Sequence, residues 1–355
     1  MRLKNLLSDG PREKNLVARP FIIAEAGVNH ETNMGLAKRL VEEAKEGGAD
    51  AIKFQSYKAD TLAIKASTAY WNIKKEPTRS QYELFKKYDK FWKNEFTEIK
   101  NHCDKIDIEF LSTPFDFESA RFLNDLMNVF KISSSDITNK PFIEFICAFG
   151  KPIILSTGAS NMDEIHEAAG WIESKGNPLA LLHCILNYPT EATDANLAMI
   201  LDLKRTFPKN LIGYSDHTLP DDMKILEVAS LLGASIIEKH FTFDKTLPGN
   251  DHYHAMDKED LKKINNRLDQ IFKLMGVGRK HALPSEEPAR VNARRSLVAN
   301  RDLFKGSTIK NDDLVFKRPG YGISPKEFHK VVGRKLICDI GEDSVIRWEF
   351  LEEAK

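Results

Sequence analysis

The sequence has little cysteine, no net charge and no long apolar run. Its 4 cysteines are scattered over 355 residues without a C-x-x-C pair, which argues against a disulfide framework and fits a reducing compartment. Lys and Arg number 52, and so do Asp and Glu, so no overall field would draw the chain to nucleic acid or to an anionic membrane. The longest nearly apolar stretch, 228–237, is about half of the ~20 residues that span a bilayer. Residues 1–19 carry charges of both signs and no apolar h-region, so we expect a cytoplasmic protein without a secretory signal.

Short apolar runs alternate with longer segments that carry apolar residues at helical spacing. Eight runs predict strands, at 21–26, 51–55, 108–112, 129–133, 152–156, 179–184, 211–214 and 235–240. Helical patterns lie at 36–44, 116–127, 161–175, 220–232 and 257–275. A repeat of roughly 31 residues is the size of one unit of a (β/α)8 barrel, an α/β fold of ~250 residues. An open doubly wound sheet is the alternative, but no strand is followed by a G-x-G-x-x-G turn.

The pattern changes after Gly276, where a polar segment with two prolines precedes short strand-like pieces. We therefore predict an N-terminal extension at 1–19, a TIM barrel at 20–277, a linker at 278–292 and a small β-rich domain at 293–355. Within the last, residues 302–314 match 339–351 at equal spacing, a weak internal duplication.

Polar side chains gather at the predicted carboxyl ends of the strands, where barrel enzymes carry their active sites. Strand parity places Lys53 and Gln55 on one face. Either Lys53 or Lys131 could form a structural ion pair with Glu25 or Asp136. Two lysines on different strands, close to several hydroxyl groups, instead predict a cationic pocket for phosphate or carboxylate. The hydroxyl-bearing residues at these strand ends are Thr113, Ser134, Ser156 and Ser215.

Two histidines end neighbouring strands, His217 in Ser-Asp-His-Thr and His240 in Glu-Lys-His-Phe. Each alone would more often be a hydrogen-bonded core histidine, but the pair could hold one divalent ion. Without an H-E-x-x-H motif or a cysteine ligand, an open Mn, Mg or Co site is favoured over structural zinc. In the following loop Asp251 could bind sugar hydroxyls. The same loop contains His252 and His254, so the sequence does not decide which histidines bind the metal.

Eight motifs together resemble the sialic acid synthase family, which includes N-acetylneuraminate, legionaminic acid and pseudaminic acid synthases. The resemblance covers nearly the whole chain from Phe21, and the C-terminal part is similar to the antifreeze-like (SAF, β-clip) domain of that family. The motifs are IAEAGVNH at 23–30, AIKFQ at 51–55, LSTPF at 111–115, PIILSTG at 152–158, HC at 183–184 with YP at 188–189, GYSDHT at 213–218, EKHF at 238–241 and PG at 248–249 with Asp251.

The resemblance implies a transferase that condenses phosphoenolpyruvate with an N-acylated amino sugar to a nine-carbon 2-keto acid and phosphate. The acceptor stays open among N-acetylmannosamine, its 6-phosphate and diacetamido sugars. The resemblance also implies a divalent metal bound by His217 and His240. It further implies a homodimer in which Arg294 of one subunit's antifreeze-like domain contacts the sugar's N-acyl group in the partner's active site. Phosphoenolpyruvate would be held by Lys53, Thr113, Lys131, Ser134, Ser156 and Ser215; the sugar or its activated water would be contacted by Glu25, Gln55, Tyr188 and Asp251. Glu25 could act as stabiliser, base or sugar ligand.

The sequence departs from the family pattern in three places. Leu186 stands where many members have asparagine, and Asn187 follows it. The sequence therefore does not identify which residue would make the phosphate contact of that asparagine. Asp343 stands in the second duplicate where glycine is usual. The segment 57–90 lies where members differ, and we expect it to affect which sugar fits.

Other functions are consistent with parts of this pattern. They are another phosphoenolpyruvate-dependent aldol synthase with a sugar-phosphate acceptor, an amidohydrolase-like hydrolase, and a carbohydrate- or ice-binding protein with a decayed barrel. A hydrolase would need an H-x-H on the first strand, where Glu25 and Gly27 stand instead. The intact charged set argues against a decayed barrel, because folding alone does not require it.

Overall fold

The computed structural model describes residues 3–10, 19–249, 251–276 and 278–353. It divides into two compact units, Met1–Gly278 and Arg279–Lys355. Among the described residues, no helix is both long and apolar enough to cross a membrane.

Eight parallel strands form the first unit's sheet, in the order β3-β2-β1-β8-β7-β6-β5-β4. β3 and β4, at the two ends of this order, pack side by side and close the barrel. The prediction of a (β/α)8 barrel is confirmed, and every predicted strand is present within two residues at each end. The strands are β1 Phe21–Gly27, β2 Ala51–Ser56, β3 Glu109–Pro114, β4 Phe130–Ile132, β5 Ile153–Ser156, β6 Leu179–Cys184, β7 Leu211–Asp216 and β8 Ile236–His240.

One helix, α1 Leu3–Asp9, precedes β1, and the other helices of the first unit follow strands around the barrel. They are α2 Met34–Gly47, α3 Ala59–Leu62, α4 Gln81–Tyr88, α5 Lys93–Ile106, α6 Phe117–Leu123, α7 Lys140–Cys147, α8 Met162–Glu173, α9 Met199–Thr206, α10 Lys224–Leu231 and α11 Lys258–Met275. The five predicted helical patterns correspond to α2, α6, α8, α10 and α11. The barrel helices α5, α7 and α9, of 14, eight and eight residues, were not among the predicted patterns.

Two apolar layers support the barrel. Outward-facing strand residues pack against the helices, and inward-facing residues such as Ile23, Leu111 and Leu182 fill the interior. Leu3 and Leu7 of α1 are buried with this inner cluster. The predicted extension at 1–19 therefore contributes apolar side chains to the barrel core.

Gly213 of β7 illustrates how tightly the barrel interior is packed. A Cβ atom there would lie 2.5 Å from the carbonyl oxygen of Ile236 and would also overlap Leu182. We expect Gly213→Ala to lower the free energy of unfolding by ~1–3 kcal/mol, measured by urea denaturation, because the added methyl group overpacks the core. Gly170→Ala in α8 is the control, since no atom lies within 4 Å of its added Cβ. Equal stability of the two variants would contradict this account.

The second unit contains a two-stranded antiparallel sheet, β9 Ser296–Ala299 and β10 Leu314–Lys317, with helices α12 Glu287–Asn292 and α13 Phe328–Val331. Short 3-10 turns lie at Pro284–Glu286, Asn311–Asp313, Pro325–Glu327 and Trp348–Phe350; a further one, Ser134–Asp136, follows β4 in the barrel. The segment 278–292, predicted as a linker, thus carries a turn and a helix.

The predicted duplication appears as reciprocal contacts between its two copies. Asp302 Oδ1 accepts a hydrogen bond from the Glu342 amide at 2.8 Å, and Asp339 Oδ1 accepts one from the Lys305 amide at 2.7 Å. The copies therefore pair through an approximate two-fold relation. Asp343, the departure from glycine, adopts φ 62°, a left-handed conformation that aspartate tolerates better than most residues.

Candidate active site

Each of the eight strands directs at least one polar or thiol side chain into a small chamber at the carboxyl end of the barrel. The inward-facing residues nearer the amino ends of the strands are apolar. The last inward-facing side chains, at the carboxyl ends, therefore form a separate polar layer. The eight residues, in strand order, are Glu25, Lys53, Thr113, Lys131, Ser156, Cys184, Ser215 and Glu238. We call this space the inner chamber.

The inner chamber contains two lysines opposed by two carboxylates, all at most 6% exposed. Lys53 Nζ lies 2.5 Å from Glu25 Oε2 and 2.9 Å from Thr113 Oγ1. Lys131 Nζ donates to Ser156 Oγ at 2.7 Å. Glu238 Oε1 lies 3.8 Å from both ammonium nitrogens. The prediction of a cationic pocket therefore needs correction, because Glu25 and Glu238 offset the charge of the lysines.

The charge balance depends on Glu25. Burial raises the pKa of this carboxyl to about 7, although Lys53 acts in the opposite direction. Glu238 is also buried, but Lys131 and Lys53 hold its pKa below the usual value. Near neutral pH, then, one carboxyl group is ionised and the other readily exchanges a proton, which suits a general acid or base.

The two predicted metal-binding histidines lie at the edge of the same chamber, with ring centroids 5.5 Å apart. His217 Nδ1 lies 2.7 Å from the Ile185 carbonyl oxygen, which leaves Nε2 for a ligand. His240 Nδ1 is buried without a hydrogen-bond partner. Burial also lowers the pKa of His240 well below its usual value, so the ring is neutral, as a metal ligand must be. The pair fits a site with two protein imidazoles.

The extra histidines differ in their surroundings. His252 lies 2.7 Å from Thr242 Oγ1 and 3.0 Å from Glu31 Oε1. His254 is fully buried, with its ring centroid 4.9 Å from that of His240. In the part of the chain that the structure describes, no group of three or more His, Cys, Asp or Glu side chains is arranged to hold an ion.

A larger outer chamber of about 450 Å³ adjoins the inner one. Both chambers share Gln55, Tyr188 and His240 as lining residues, and Asp251 belongs to the outer one. Leu186 also lines both, so an apolar side chain stands where the family pattern has an amide.

The loop after β2 provides one aromatic-rich wall of the outer chamber. Trp71 anchors this loop, because its buried indole nitrogen lies 3.1 Å from the Glu76 carbonyl oxygen. The lining residues from the loop are Tyr57, Leu62, Tyr70, Trp71, Gln81, Leu84, Phe85 and Tyr88.

Of the barrel residues that the sequence singled out for the site, all but Asp251 line the inner chamber, and Asp251 lines the adjoining outer chamber. Glu25, Lys53, Gln55, Thr113, Lys131, Ser134, Ser156, Tyr188, Ser215, His217 and His240 line the inner chamber. Arg294 lies in the second unit, exposed and two residues before β9. Glu238 was missed as a site residue; its inward parity on β8 was visible, but its contacts with lysines of β2 and β4 were not.

Comparisons with known proteins agree with this architecture. Residues 40–280 match the NeuB family, and residues 294–352 match the SAF domain. The chain is 44% identical over 335 residues to an uncharacterised protein of Methanocaldococcus jannaschii, covering 93% of this chain and 94% of that protein. It is 39% identical over 340 residues to the N,N'-diacetyllegionaminic acid synthase of Legionella pneumophila, covering 94% of each.

A solved structure shows the same fold. The N-acetylneuraminic acid synthetase of Leptospira borgpetersenii, crystallised with citrate, superposes with a TM-score of 0.67 at 36% identity, over 76% of this chain and 90% of that one. The motifs, the barrel with its polar chamber and these similarities lead to one assignment: the chain belongs to the NeuB family and is an enzyme of the sialic acid synthase type with a C-terminal SAF domain.

Proposed function

We propose that this enzyme condenses phosphoenolpyruvate with an unphosphorylated, N-acylated amino sugar, giving a nine-carbon 2-keto sugar acid and phosphate. The observation that carries the proposal is the inner chamber. Two buried ammonium groups, Lys53 and Lys131, lie there among hydroxyl groups and beside two imidazoles. This combination suits a small substrate that has both a phosphate and a carboxylate.

Phosphoenolpyruvate would bind by replacing interactions that the two lysines now make within the protein. Its anionic groups would approach the Nζ atoms of Lys53 and Lys131, with hydroxyl donors from Thr113, Ser156 and Ser215. These fixed donors would also stabilise the phosphate as it leaves.

A divalent ion such as Mn²⁺ held by His217 and His240 would supply Lewis-acid polarisation of the sugar's aldehyde. The enol carbon of phosphoenolpyruvate would form the new C–C bond, and water would then add at the carbon that bears the phosphate oxygen. Glu25 is suited to take the proton of that water, because its pKa lies near neutrality. Loss of phosphate from the adduct would complete the 2-keto acid.

The outer chamber indicates which acceptor is used. Its described lining residues include Glu31, Asp136 and Asp251 but neither lysine nor arginine. A sugar phosphate placed there would face like charge, with no lysine or arginine among these lining residues to offset it. The aromatic wall from the loop after β2 would instead pack against apolar substituents such as acetamido methyl groups. Together with the relatives named diacetyllegionaminic acid synthases, this supports a diacetamido sugar.

An acceptor panel tests the proposed function. Purified protein with phosphoenolpyruvate and Mn²⁺ would be given a diacetamido sugar, N-acetylmannosamine or N-acetylmannosamine 6-phosphate, and phosphate release would be followed. We expect kcat/KM to be at least about tenfold higher for an unphosphorylated acceptor, equivalent to ~1.4 kcal/mol. Preference for the 6-phosphate would contradict the acceptor assignment, and no release with any sugar would contradict the function.

Arg294 is proposed to contact the sugar's N-acyl group in the partner's active site of a homodimer with swapped SAF domains. We expect Arg294→Ala to raise KM for the sugar about tenfold or more while KM for phosphoenolpyruvate changes less than about threefold. The support is the family resemblance and the exposed position of the residue. An equal rise in KM for the sugar and for phosphoenolpyruvate would contradict this role.

Mixing two impaired variants, assayed at a sugar concentration below KM, separates a swapped dimer from an unswapped one. When Arg294→Ala and Lys131→Met protomers exchange, a swapped heterodimer has one site with both defects and one with neither, so activity returns. An unswapped heterodimer carries one defect in each site, and activity stays low. Light scattering would establish that the protein is dimeric.

A further inference from the structure

A second buried ion pair lies directly behind the two imidazoles, on the side of the barrel wall that faces the helices. Lys239 Nζ is 2.7 Å from Asp216 Oδ2, and both residues are 1% exposed. Neither residue lines the inner or the outer chamber. The charges of this pair therefore have no direct contact with substrate to explain them.

The register of β7 and β8 gives the pair its significance. Asp216 and Lys239 are direct partners across the two parallel strands, and each immediately precedes one of the histidines, His217 and His240. Successive strand residues face opposite sides, so the ion pair points outward while the imidazole of His240 points inward. An ion pair at this position would constrain the separation of the His217 and His240 backbones and their offset along the strand direction.

The same two side chains also hold the residue that follows His217. Lys239 Nζ donates to the Thr218 carbonyl oxygen at 2.5 Å. Asp216 Oδ1 accepts from the Thr218 amide at 3.0 Å and from the Tyr214 hydroxyl at 2.9 Å. Both chain neighbours of His217 are thereby tied to β8.

Stability alone is a weak reason for such a pair. Replacing a buried ion pair by apolar residues of similar volume is often neutral or stabilising, whereas removing one partner is costly. Side chains that orient metal ligands, in contrast, commonly change metal affinity 10–100-fold when mutated.

We propose that the Lys239–Asp216 ion pair is a positioning device that fixes the spacing of His217 and His240. The inference rests on the proposed function in assigning a divalent ion to these histidines. Removing the pair should loosen the two-imidazole site while leaving the phosphoenolpyruvate-binding lysines in place.

The test compares Asp216→Asn, which is nearly isosteric, with the double variant Asp216→Leu/Lys239→Met, which removes both charges. We expect Mn²⁺ affinity, measured by calorimetry, to fall about tenfold or more in both. KM for phosphoenolpyruvate should change less than about threefold. Lys151→Met is the control, because Lys151 Nζ binds the Met127 carbonyl oxygen at 2.7 Å at the amino end of the barrel; its Mn²⁺ affinity should equal that of the unmodified enzyme.

A metal-free measurement keeps this test separate from the proposed function. Nitrogen-15 spectra of selectively labelled histidine would report the ring environments of His217 and His240 without metal. We expect both to shift in Asp216→Asn and to remain unchanged in Lys151→Met. Unaltered His217 and His240 resonances in Asp216→Asn would overturn the positioning role, even if the unmodified enzyme bound no Mn²⁺. Unaltered Mn²⁺ affinity in the double variant would also overturn it.

Discussion

Replacing Lys131 with methionine should lower phosphate release by at least ~100-fold, the cost typical of losing one preorganised donor to a developing anion. The ammonium group of Lys131 donates to Ser156 Oγ and lies 3.8 Å from Glu238 Oε1. Methionine retains much of the side-chain length but provides no charge. We therefore expect KM for phosphoenolpyruvate to rise as well as kcat to fall, measured by steady-state kinetics.

The control for Lys131→Met is again Lys151→Met. Lys151 Nζ donates to the carbonyl oxygens of Asn124 and Met127 at the amino end of the barrel, and Lys151 lines neither chamber. Lys151→Met should have the same kcat and KM as the unmodified enzyme. Because Lys131→Met leaves Glu238 with one ammonium partner fewer, circular dichroism should accompany the kinetics. A folded Lys131→Met protein with a normal rate would contradict the assignment of this lysine to phosphoenolpyruvate.

Phosphate release should be lost in His217→Ala, and a chelator should abolish it in the unmodified enzyme. His217 Nδ1 lies at hydrogen-bonding distance from Ile185, so its ring is oriented with Nε2 available. Alanine removes one of the two imidazoles of the proposed site, and Mn²⁺ affinity should fall together with the rate. Calorimetry and phosphate release measure the two effects independently.

His183→Gln provides a matched control for His217→Ala. His183 is also a buried strand histidine, but its Nε2 lies 2.8 Å from the Ala195 carbonyl oxygen and its ring stacks on Tyr214. It should keep normal Mn²⁺ affinity. If the rate of phosphate release were unchanged both with chelator and in His217→Ala, the proposed requirement for a metal would be contradicted.

The strand pattern was sufficient to predict the barrel and most of the chamber. Parity along β2 placed Lys53 and Gln55 inward, and the same rule applied to each strand end. The parity of one strand does not tell which side chains meet across the barrel. For that reason Glu238 was not recognised as the partner of both lysines, and the pocket was expected to be more cationic than it is.

The loop after β2 shows a second limit of sequence reasoning. The sequence could mark the position of this loop but not the wall that Tyr70 and Trp71 form. Their placement depends on contacts within the folded loop, such as the hydrogen bond from the Trp71 indole to the Glu76 carbonyl oxygen. The duplication of the second unit, in contrast, was readable because equal spacing survives in the chain.

A crystal structure with phosphoenolpyruvate and Mn²⁺ tests the account most directly. Anomalous scattering should place manganese within coordination distance of His217 and His240, and the substrate's anionic groups should contact Lys53 and Lys131 in the inner chamber. Manganese bound elsewhere, or phosphoenolpyruvate bound away from these lysines, would contradict the account.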